Sequence, residues 1–375
     1  MKGLFIIVIV GILVALVGVA VYLYKFVRRI GRNLNIKIKT KWGVAATVFI
    51  SIAIFWCALS LFSIGAIALL HFVAFSMMTD VVNIIIKRIK KEKYDSLKMW
   101  NKLYKICIVP VGLTVAFMIY GYMNMMNVVE TSYTVDVKKD IRAEGYRIGM
   151  VADVHFGISL DGEELQKVCD EISSKNVDIM VLCGDIVDEG TSYEQMKQVF
   201  KILGSIKSNF GIYYVYGNHD KQSYKGNRAY TEEQLNEAIT SNGITILSDK
   251  TIILNDEVTV VGRKDASITG ESNRVSMETL LEGTDKENLI LAFDHQPKNY
   301  DENAKAGTDI LLSGHTHAGQ IWPGNFLFEI LEFDDAVYGV TQIGDFRGII
   351  TSGVAGWGFP VKTSSPAEYV IVDVK

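Results

Sequence analysis

Between Trp42 and Ile86 the chain runs for 45 residues with one formal charge, Asp80. A helix needs about 20 residues, at about 1.5 Å each, to cross a hydrocarbon core about 30 Å thick. The run therefore reads as two spans broken by a tight, uncharged hairpin near Ser60–Gly65. Two more apolar runs flank it. Gly3–Tyr24 is 22 residues without a charge, and Ile106 to about Met123 makes a fourth span with Pro110 near its start, where proline is best tolerated. A cleaved signal peptide is the rival reading of the first run. That run is longer than a usual signal core, and Lys25, Arg28, Arg29 and Arg32 follow it where a small-residue cleavage site would be expected. The expectation is an N-terminal four-helix transmembrane module with spans at about 3–24, 42–62, 64–86 and 106–123.

Charge divides the chain near the same place. Residues 1–130 hold 16 Lys and Arg against 4 Asp and Glu, and residues 131–375 hold 22 against 38. We read two domains from this, a membrane module over 1–130 and a second domain over 131–375. The basic residues of the first part collect in 25–41 and 87–105, which the positive-inside rule assigns to the cytoplasm. This gives a multi-pass protein of the cell membrane whose C-terminal domain lies outside the cytoplasm. Membrane lipids are the expected partners of the first part. The acidic balance of the second excludes nucleic acid, which selects a basic surface. Asp80 is expected to pair or snorkel near the cytoplasmic end of its span, and His71 to bond between helices. Four cysteines are too few for a disulfide scaffold and read as buried free thiols.

In the second part, strand-length apolar runs alternate with helical patterns, which argues a layered α/β domain. Strands are expected at 147–152, 178–183, 212–216, 244–247, 251–254, 257–262, 288–293, 309–313 and 368–374. Helices are expected at 163–174, 192–206, 231–241, 276–282 and 297–305. Ser192 with Gln195, and Thr231 with Gln234, have the spacing of a capping box.

Polar residues collect where these strands end. The first ends in Asp153-Val-His155, the second in Gly184-Asp185-Ile-Val-Asp188, and the third in Gly217-Asn218-His219-Asp220. The strand at 288–293 ends in Asp294-His295, and the one at 309–313 in Gly314-His315-Thr-His317. In open α/β sheets ligands bind beyond the carboxyl ends of strands. All five histidines of this part lie in the set. Imidazole, carboxylate and carboxamide donors without cysteine suit Mn, Zn or Fe. Seven such ligands with one shared carboxylate can hold two divalent ions about 3.5–4 Å apart, which would acidify a water and clamp a phosphate ester. The glycines at 184, 217 and 314 are expected to let the backbone turn sharply below each ligand.

This ordered series resembles the calcineurin-like metallophosphoesterase family, in its membrane-associated branch, over about residues 145–375. The segments His295-Gln-Pro and His315-Thr-His-Ala-Gly-Gln320 add to the likeness. In that branch the last motif usually reads His-Thr-His-Gly-Gly-Gln, from which Ala318 departs by one methyl group. The resemblance implies a four-layer α/β/β/α sandwich and a metal-dependent phosphoesterase. It implies that Asp153, His155 and His317 bind one metal ion, that Asn218, His295 and His315 bind a second, and that Asp185 bridges both. His219 would contact the phosphate and protonate the leaving oxygen, and Asp220 would orient His219. Asp188 would either support a ligand or cap the next helix. The substrate would be a phosphate mono- or diester, with lipid-linked or envelope phosphates attractive because members of this branch hydrolyse lipid-A precursors. Phe326, Phe328, Trp357 and Phe359 read mainly as core, with an acyl groove as the other reading. The competing function is a non-catalytic, metal-stabilised membrane sensor or scaffold.

Overall fold

The structure is a computed structural model, and it describes residues 2–33, 40–57, 63–270, 273–332 and 334–375. It divides into two compact units, 1–120 and 121–375. The first holds α1 (Lys2–Asn33), α2 (Lys41–Cys57), α3 (Ile64–Lys90), α4 (Lys98–Lys105) and most of α5 (Ile108–Met126). Ser63 caps α3 by accepting the Ala66 N–H.

Two stretches among the described residues are long and apolar enough to cross a membrane, Ile64–Ser96 and Ile108–Met126. The other two expected spans are described in part. The first lies on α1, whose side chains before Val17 are outside the described residues, and residues 58–62 of the second are outside them too. The polarity of α3 is the reverse of a water-soluble helix. It buries His71, Ser76, Thr79 and Asn83 and exposes Leu70, Met77, Met78, Val81, Val82, Ile84 and Ile85.

The buried polar groups are mostly paired. Asp80 accepts from Tyr22 Oη, from Arg29 at 2.9 Å and from Tyr104 Oη at 2.8 Å. Asn83 Oδ1 accepts from Tyr94 Oη at 2.7 Å and Trp100 Nε1 at 3.0 Å. Among the described residues His71 makes no hydrogen bond between helices. Its Nδ1 meets the Ile67 carbonyl one turn back at 2.8 Å, and its ring packs 4.9 Å from that of Phe117. Cys107, Cys169 and Cys183 are buried free thiols; the side chain of Cys57 lies outside the described residues.

The second unit contains, in chain order, β1 (Val128–Val135), β2 (Tyr146–Val151), α6 (Gly162–Ser174), β3 (Ile179–Cys183), α7 (Tyr193–Leu203), β4 (Ile212–Val215) and α8 (Glu232–Thr240). There follow β5 (Ile244–Ile246), β6 (Lys250–Leu254), β7 (Val258–Gly262), α9 (Ala266–Thr269), α10 (Met277–Leu280), β8 (Leu289–Phe293), α11 (Tyr300–Ala306) and β9 (Ile310–Ser313). The last elements are α12 (Gly324–Leu331), β10 (Gly339–Ile343), β11 (Phe346–Ile350) and β12 (Ala367–Val374). They build two mixed six-stranded sheets, ordered β1-β12-β2-β3-β4-β5 and β10-β11-β9-β8-β7-β6. β1, which straddles residue 130, pairs in parallel with β12 along its whole length.

Strand residues alternate between two buried faces. Ile179, Val181 and Cys183 of β3 meet Leu289, Leu291 and Phe293 of β8 in the core between the sheets. Met180 and Leu182 face an outer core shared with α6, α7 and α8. Ile290, Ala292 and Leu311 face a third core with Met277 and Tyr300 from α10 and α11. The result is an α/β sandwich of two mixed sheets with helices on both outer faces. Both expected capping boxes form, and a third joins Asp161 and Glu164 at the start of α6. In this unit β1, α9, α12, β10 and β11 have no counterpart among the expected elements.

Candidate metal centre

Five strand ends converge at one edge of the sandwich and are laced together by backbone hydrogen bonds. Beyond β2 and β3, Asp153 N donates to Gly184 O at 3.0 Å and His155 N to Asp185 O at 3.1 Å. Beyond β8 and β9, Gly314 N donates to His295 O at 3.0 Å. The segment after β11 closes the floor, with Val354 N on Ala152 O and Ala355 N on Asp153 O. Lys362, fully buried, pins that segment by donating Nζ to the carbonyls of Ser352, Gly353 and Ala355.

Two groups of side chains able to hold a metal ion result, Asp153 with His155 and His317, and Asp185 with His295 and His315. His155 Nε2 lies 3.3 Å from His317 Nε2, and His317 Nε2 is 3.5 Å from Asp153 Oδ1. Asp185 Oδ2 is 3.1 Å from His295 Nε2 and 4.0 Å from His155 Nε2, so its carboxylate reaches toward both groups. Asn218, beyond the end of β4, is buried, and among the described residues its Oδ1 has no hydrogen-bond partner. His295 Nδ1 meets the Cys183 carbonyl at 2.8 Å, which sets Nδ1 as the protonated nitrogen and leaves Nε2, also without a hydrogen-bond partner, as a lone-pair donor. Buried polar atoms without partners are rare, and several at one spot fit a cation.

Electrostatics point the same way. Burial pushes His315 down to about 3, and burial with the neighbouring His155 puts His317 well below the usual range, so both imidazoles are neutral donors. Burial raises Asp185, but the imidazoles of His295, His155 and His219 outweigh it and hold the carboxyl well below its ordinary value. Burial drives Asp153 up to about 6. Burial lowers His295, but the Asp185 and Asp153 carboxylates outweigh it and raise it well above the ordinary imidazole value, so positive charge is favoured at the spot where a divalent cation would sit.

Backbone strain marks the same residues. Asp153, His155, Asp185, His315 and His317 all have φ between +39° and +73°. Such conformations are uncommon outside glycine and cluster at functional sites. The glycines play a different part from the one expected. Gly184 does turn at φ +81°, but Gly217 and Gly314 are needed for close approach. A Cβ on Gly217 would stand 2.1 Å from Asp185 Oδ1, and one on Gly314 2.4 Å from Asp153 Oδ2.

Ala318 likewise is more than a neutral methyl exchange. It sits at φ 50°, ψ 38°, where a non-glycine residue costs about 1–2 kcal/mol. Ala318→Gly relieves this and loses part of the gain to unfolded-chain entropy, so it is expected to raise stability by about 0.5–1 kcal/mol. Thermal unfolding of the full chain checks this, and a lower melting temperature would contradict it.

The structure corrects the reading of Asp220. Its carboxylate does not meet the His219 ring. It accepts backbone N–H groups from Asp185, Ile186, Val187 and Gly217 at 2.6–3.2 Å, which fixes the loop carrying Asp185. The partner of His219 is Glu189, whose Oε2 lies 2.7 Å from Nδ1. Burial lowers the His219 pKa, but the Glu189 hydrogen bond and the Asp185 charge outweigh it, so the imidazolium is favoured. Asp188 stands 3.4 Å from His155 Nδ1, and the N-cap of α7 is Ser192, so Asp188 supports a candidate ligand and caps no helix. Tyr224 and Trp357 flank His219 with ring centroids 5.3 Å away. Trp357 and Phe359 are half-buried, while Phe326 and Phe328 are exposed, so the aromatics of the tail are not core as expected. Glu189 was open to discovery as the carboxylate next to the Asp185–Asp188 pair; the position of Trp357 had no local signal.

Glu189→Gln keeps the shape and removes the charge. Losing a hydrogen bond to a charged group is worth about 1.5–3 kcal/mol, so kcat for an ester with a poor leaving group is expected to fall about 10- to 100-fold. KM is expected to change little. A rise in KM with kcat unchanged would contradict a role in proton transfer.

The matched family model, "calcineurin-like phosphoesterase", covers residues 146–319. The chain is 25% identical over 303 residues to an uncharacterised metallophosphoesterase of Campylobacter jejuni, covering 79% of this chain and 76% of that one. It is 24% identical over 340 residues to a Danio rerio protein described as a transmembrane protein with metallophosphoesterase domain, covering 85% and 74%. A solved dimetal phosphatase from Danio rerio is similar at a TM-score of 0.36, with 13% identity over 56% of this chain and 88% of that one. Residues 146–319 are a calcineurin-like metallophosphoesterase domain, and the chain is a phosphoester hydrolase.

Proposed function

We propose that the chain is a multi-pass membrane enzyme that hydrolyses phosphate mono- or diesters outside the cytoplasm, with lipid-linked or envelope-derived phosphates as its substrate class. The observation that carries the catalytic half of this reading is the Asp185 carboxylate reaching toward both donor groups. In the proposed arrangement Asp153, His155 and His317 would hold one divalent ion, Asn218, His295 and His315 would hold the other, and Asp185 would serve both. Nitrogen and oxygen donors without thiolate suit Mn, Zn or Fe. When bound, such a pair supplies Lewis-acid stabilisation of the phosphoryl oxygens and acidifies the attacking water.

The remaining steps belong to the chain. His219 donates its Nε2 proton to the leaving oxygen, while Glu189 at Nδ1 favours the imidazolium that makes this possible. Asp185 Oδ1 accepts the His219 backbone N–H at 2.9 Å, so the proton donor and the shared carboxylate are fixed to each other. Asp188 orients His155, and the Cys183 carbonyl orients His295. Tyr224 and Trp357 wall the His219 side, where the leaving group departs.

The membrane half rests on the inverted polarity of α3 and on the basic residues that flank the apolar runs. Polar groups that pair inside a bundle while Leu, Met, Ile and Val face outward suit a lipid surround. The activity test is the purified full chain with Mn²⁺ against bis-p-nitrophenyl phosphate and p-nitrophenyl phosphate. Turnover that a chelator abolishes and Mn²⁺ restores is expected; none with any first-row divalent metal would sink the reading. A cysteine placed at Lys207 should react with an impermeant maleimide on intact cells, and shielding there would overturn the topology.

A further inference from the structure

We propose that α12 is a docking helix that lies in the surface of the lipid bilayer and holds the mouth of the metal site against it. The proposal rests on the membrane-spanning reading above and extends it to a segment of the second unit.

The helix Gly324–Leu331 buries none of its residues. Phe326 and Leu327 are each 52% exposed, Ile330 75%, and Trp322 just before the helix 37%. Glu329 is the one charged side chain in its eight residues. Such a cluster on a water-facing surface marks an interaction site. Bulky apolar and aromatic residues on a short helix are the composition of segments that lie in a membrane interface.

What selects lipid over another occupant is continuity with α5. That helix is apolar, ends at Met126, and is followed at Val128 by β1. Its last turns are bonded to the tail of the chain. Lys362 N donates to Gly121 O at 3.0 Å, and Asn124 Nδ2 donates to Lys362 O at 2.9 Å and Ser365 O at 2.6 Å. The next residue continues the connection, with Thr363 N on Gln320 O at 2.8 Å and Trp322 N on Thr363 Oγ1 at 2.9 Å. The start of α12 is thus a few hydrogen bonds from the end of an apolar helix. A spanning helix brings its last turn to the interface, where Trp and Tyr are enriched, and both Trp322 and Tyr122 are exposed there.

The same segment reaches the metal site. Gln320 Nε2 donates to the carbonyls of Trp357, Phe359 and Val361, and its Oε1 accepts the Trp357 N–H at 2.9 Å. The Trp357 ring lies beside His219. Seating α12 in lipid therefore sets the wall of the site at the interface, where a phosphate on a membrane-borne substrate would be found.

The test uses the full chain in lipid nanodiscs of phosphatidylcholine and phosphatidylglycerol. In a Cys57→Ser background the other three cysteines are buried, and Phe326→Cys carries an environment-sensitive NBD label. Val115→Cys on α5 and Lys207→Cys serve as span and water references. The expected result is blue-shifted NBD emission at 326 and a several-fold loss of intensity with spin-labelled lipid, as at 115 and unlike 207. Emission at 326 matching 207, with 115 quenched, would overturn the docking helix and leave the span standing. No quenching at 115 would overturn the spanning reading and the docking helix with it. Energy transfer between labels at 326 on two chains without lipid quenching would assign the face to a second copy and also overturn it.

Discussion

Asp185→Asn is expected to lower kcat for bis-p-nitrophenyl phosphate by about 10³-fold or more, equivalent to about 4 kcal/mol of transition-state stabilisation. The substitution preserves shape and burial and removes one charge. That charge matters because Asp185 is fully enclosed and faces His295 at 3.1 Å and His155 at 4.0 Å, while its other oxygen holds the His219 N–H. An amide at this place cannot bind two cations through one group, and its NH₂ would confront His295 Nε2. The neighbouring Asp188 provides the internal comparison. Of the candidate ligands it meets His155, whose Nδ1 lies 3.4 Å from Oδ2, while its Oδ1 accepts from Gly190 N at 2.7 Å and Thr191 Oγ1 at 3.3 Å, so Asp188→Asn is expected to cost about 10- to 100-fold, the range for residues that orient a ligand. Steady-state kinetics of the two variants measure the difference. Equal losses would contradict a shared carboxylate.

His219→Ala is the second large effect. A positioned general acid contributes about 10²–10⁴-fold, and His219 has the features of one, with Glu189 on Nδ1, a raised pKa and two aromatic rings at its side. The loss is expected to be greatest for an alkyl phosphate, whose leaving oxygen must be protonated, and much smaller for p-nitrophenyl esters. Bound metal should be unchanged, because the ring is not in either donor group. Comparing kcat across a series of leaving groups reads this out. A loss of equal size for every leaving group, with metal content also reduced, would make His219 structural.

The donor set was legible because each candidate ligand follows an apolar strand with a clear start and stop. Chemistry and local pattern coincide at Asp153, Asp185, Asn218, His295 and His315, and the folded chain brings those strand ends to one edge. What connects the ligands was less legible. The Glu189–His219 contact depends on how the loop after β3 lies against the loop after β4. Asp220 stands beside His219 in sequence, yet its carboxylate points into four backbone amides, which only the folded loop reveals. The glycines were read for conformational freedom, whereas Gly217 and Gly314 matter for the carboxylates pressed against them. β1 was hidden because Val128–Val135 continues the apolar helix after one residue, and its partner β12 lies at the far end of the chain. The β10–β11 hairpin turns at Gly344-Asp345 in a stretch whose glycines and aromatics read as irregular.

Metal content is the most direct measurement of the central claim. The full chain, purified, loaded with Mn²⁺ and desalted into metal-free buffer, would be analysed by inductively coupled plasma mass spectrometry and assayed on the same sample. Two divalent ions per chain are expected, with hydrolysis of bis-p-nitrophenyl phosphate rising in step with occupancy. Undiminished hydrolysis by a chain stripped of bound metal would contradict the account.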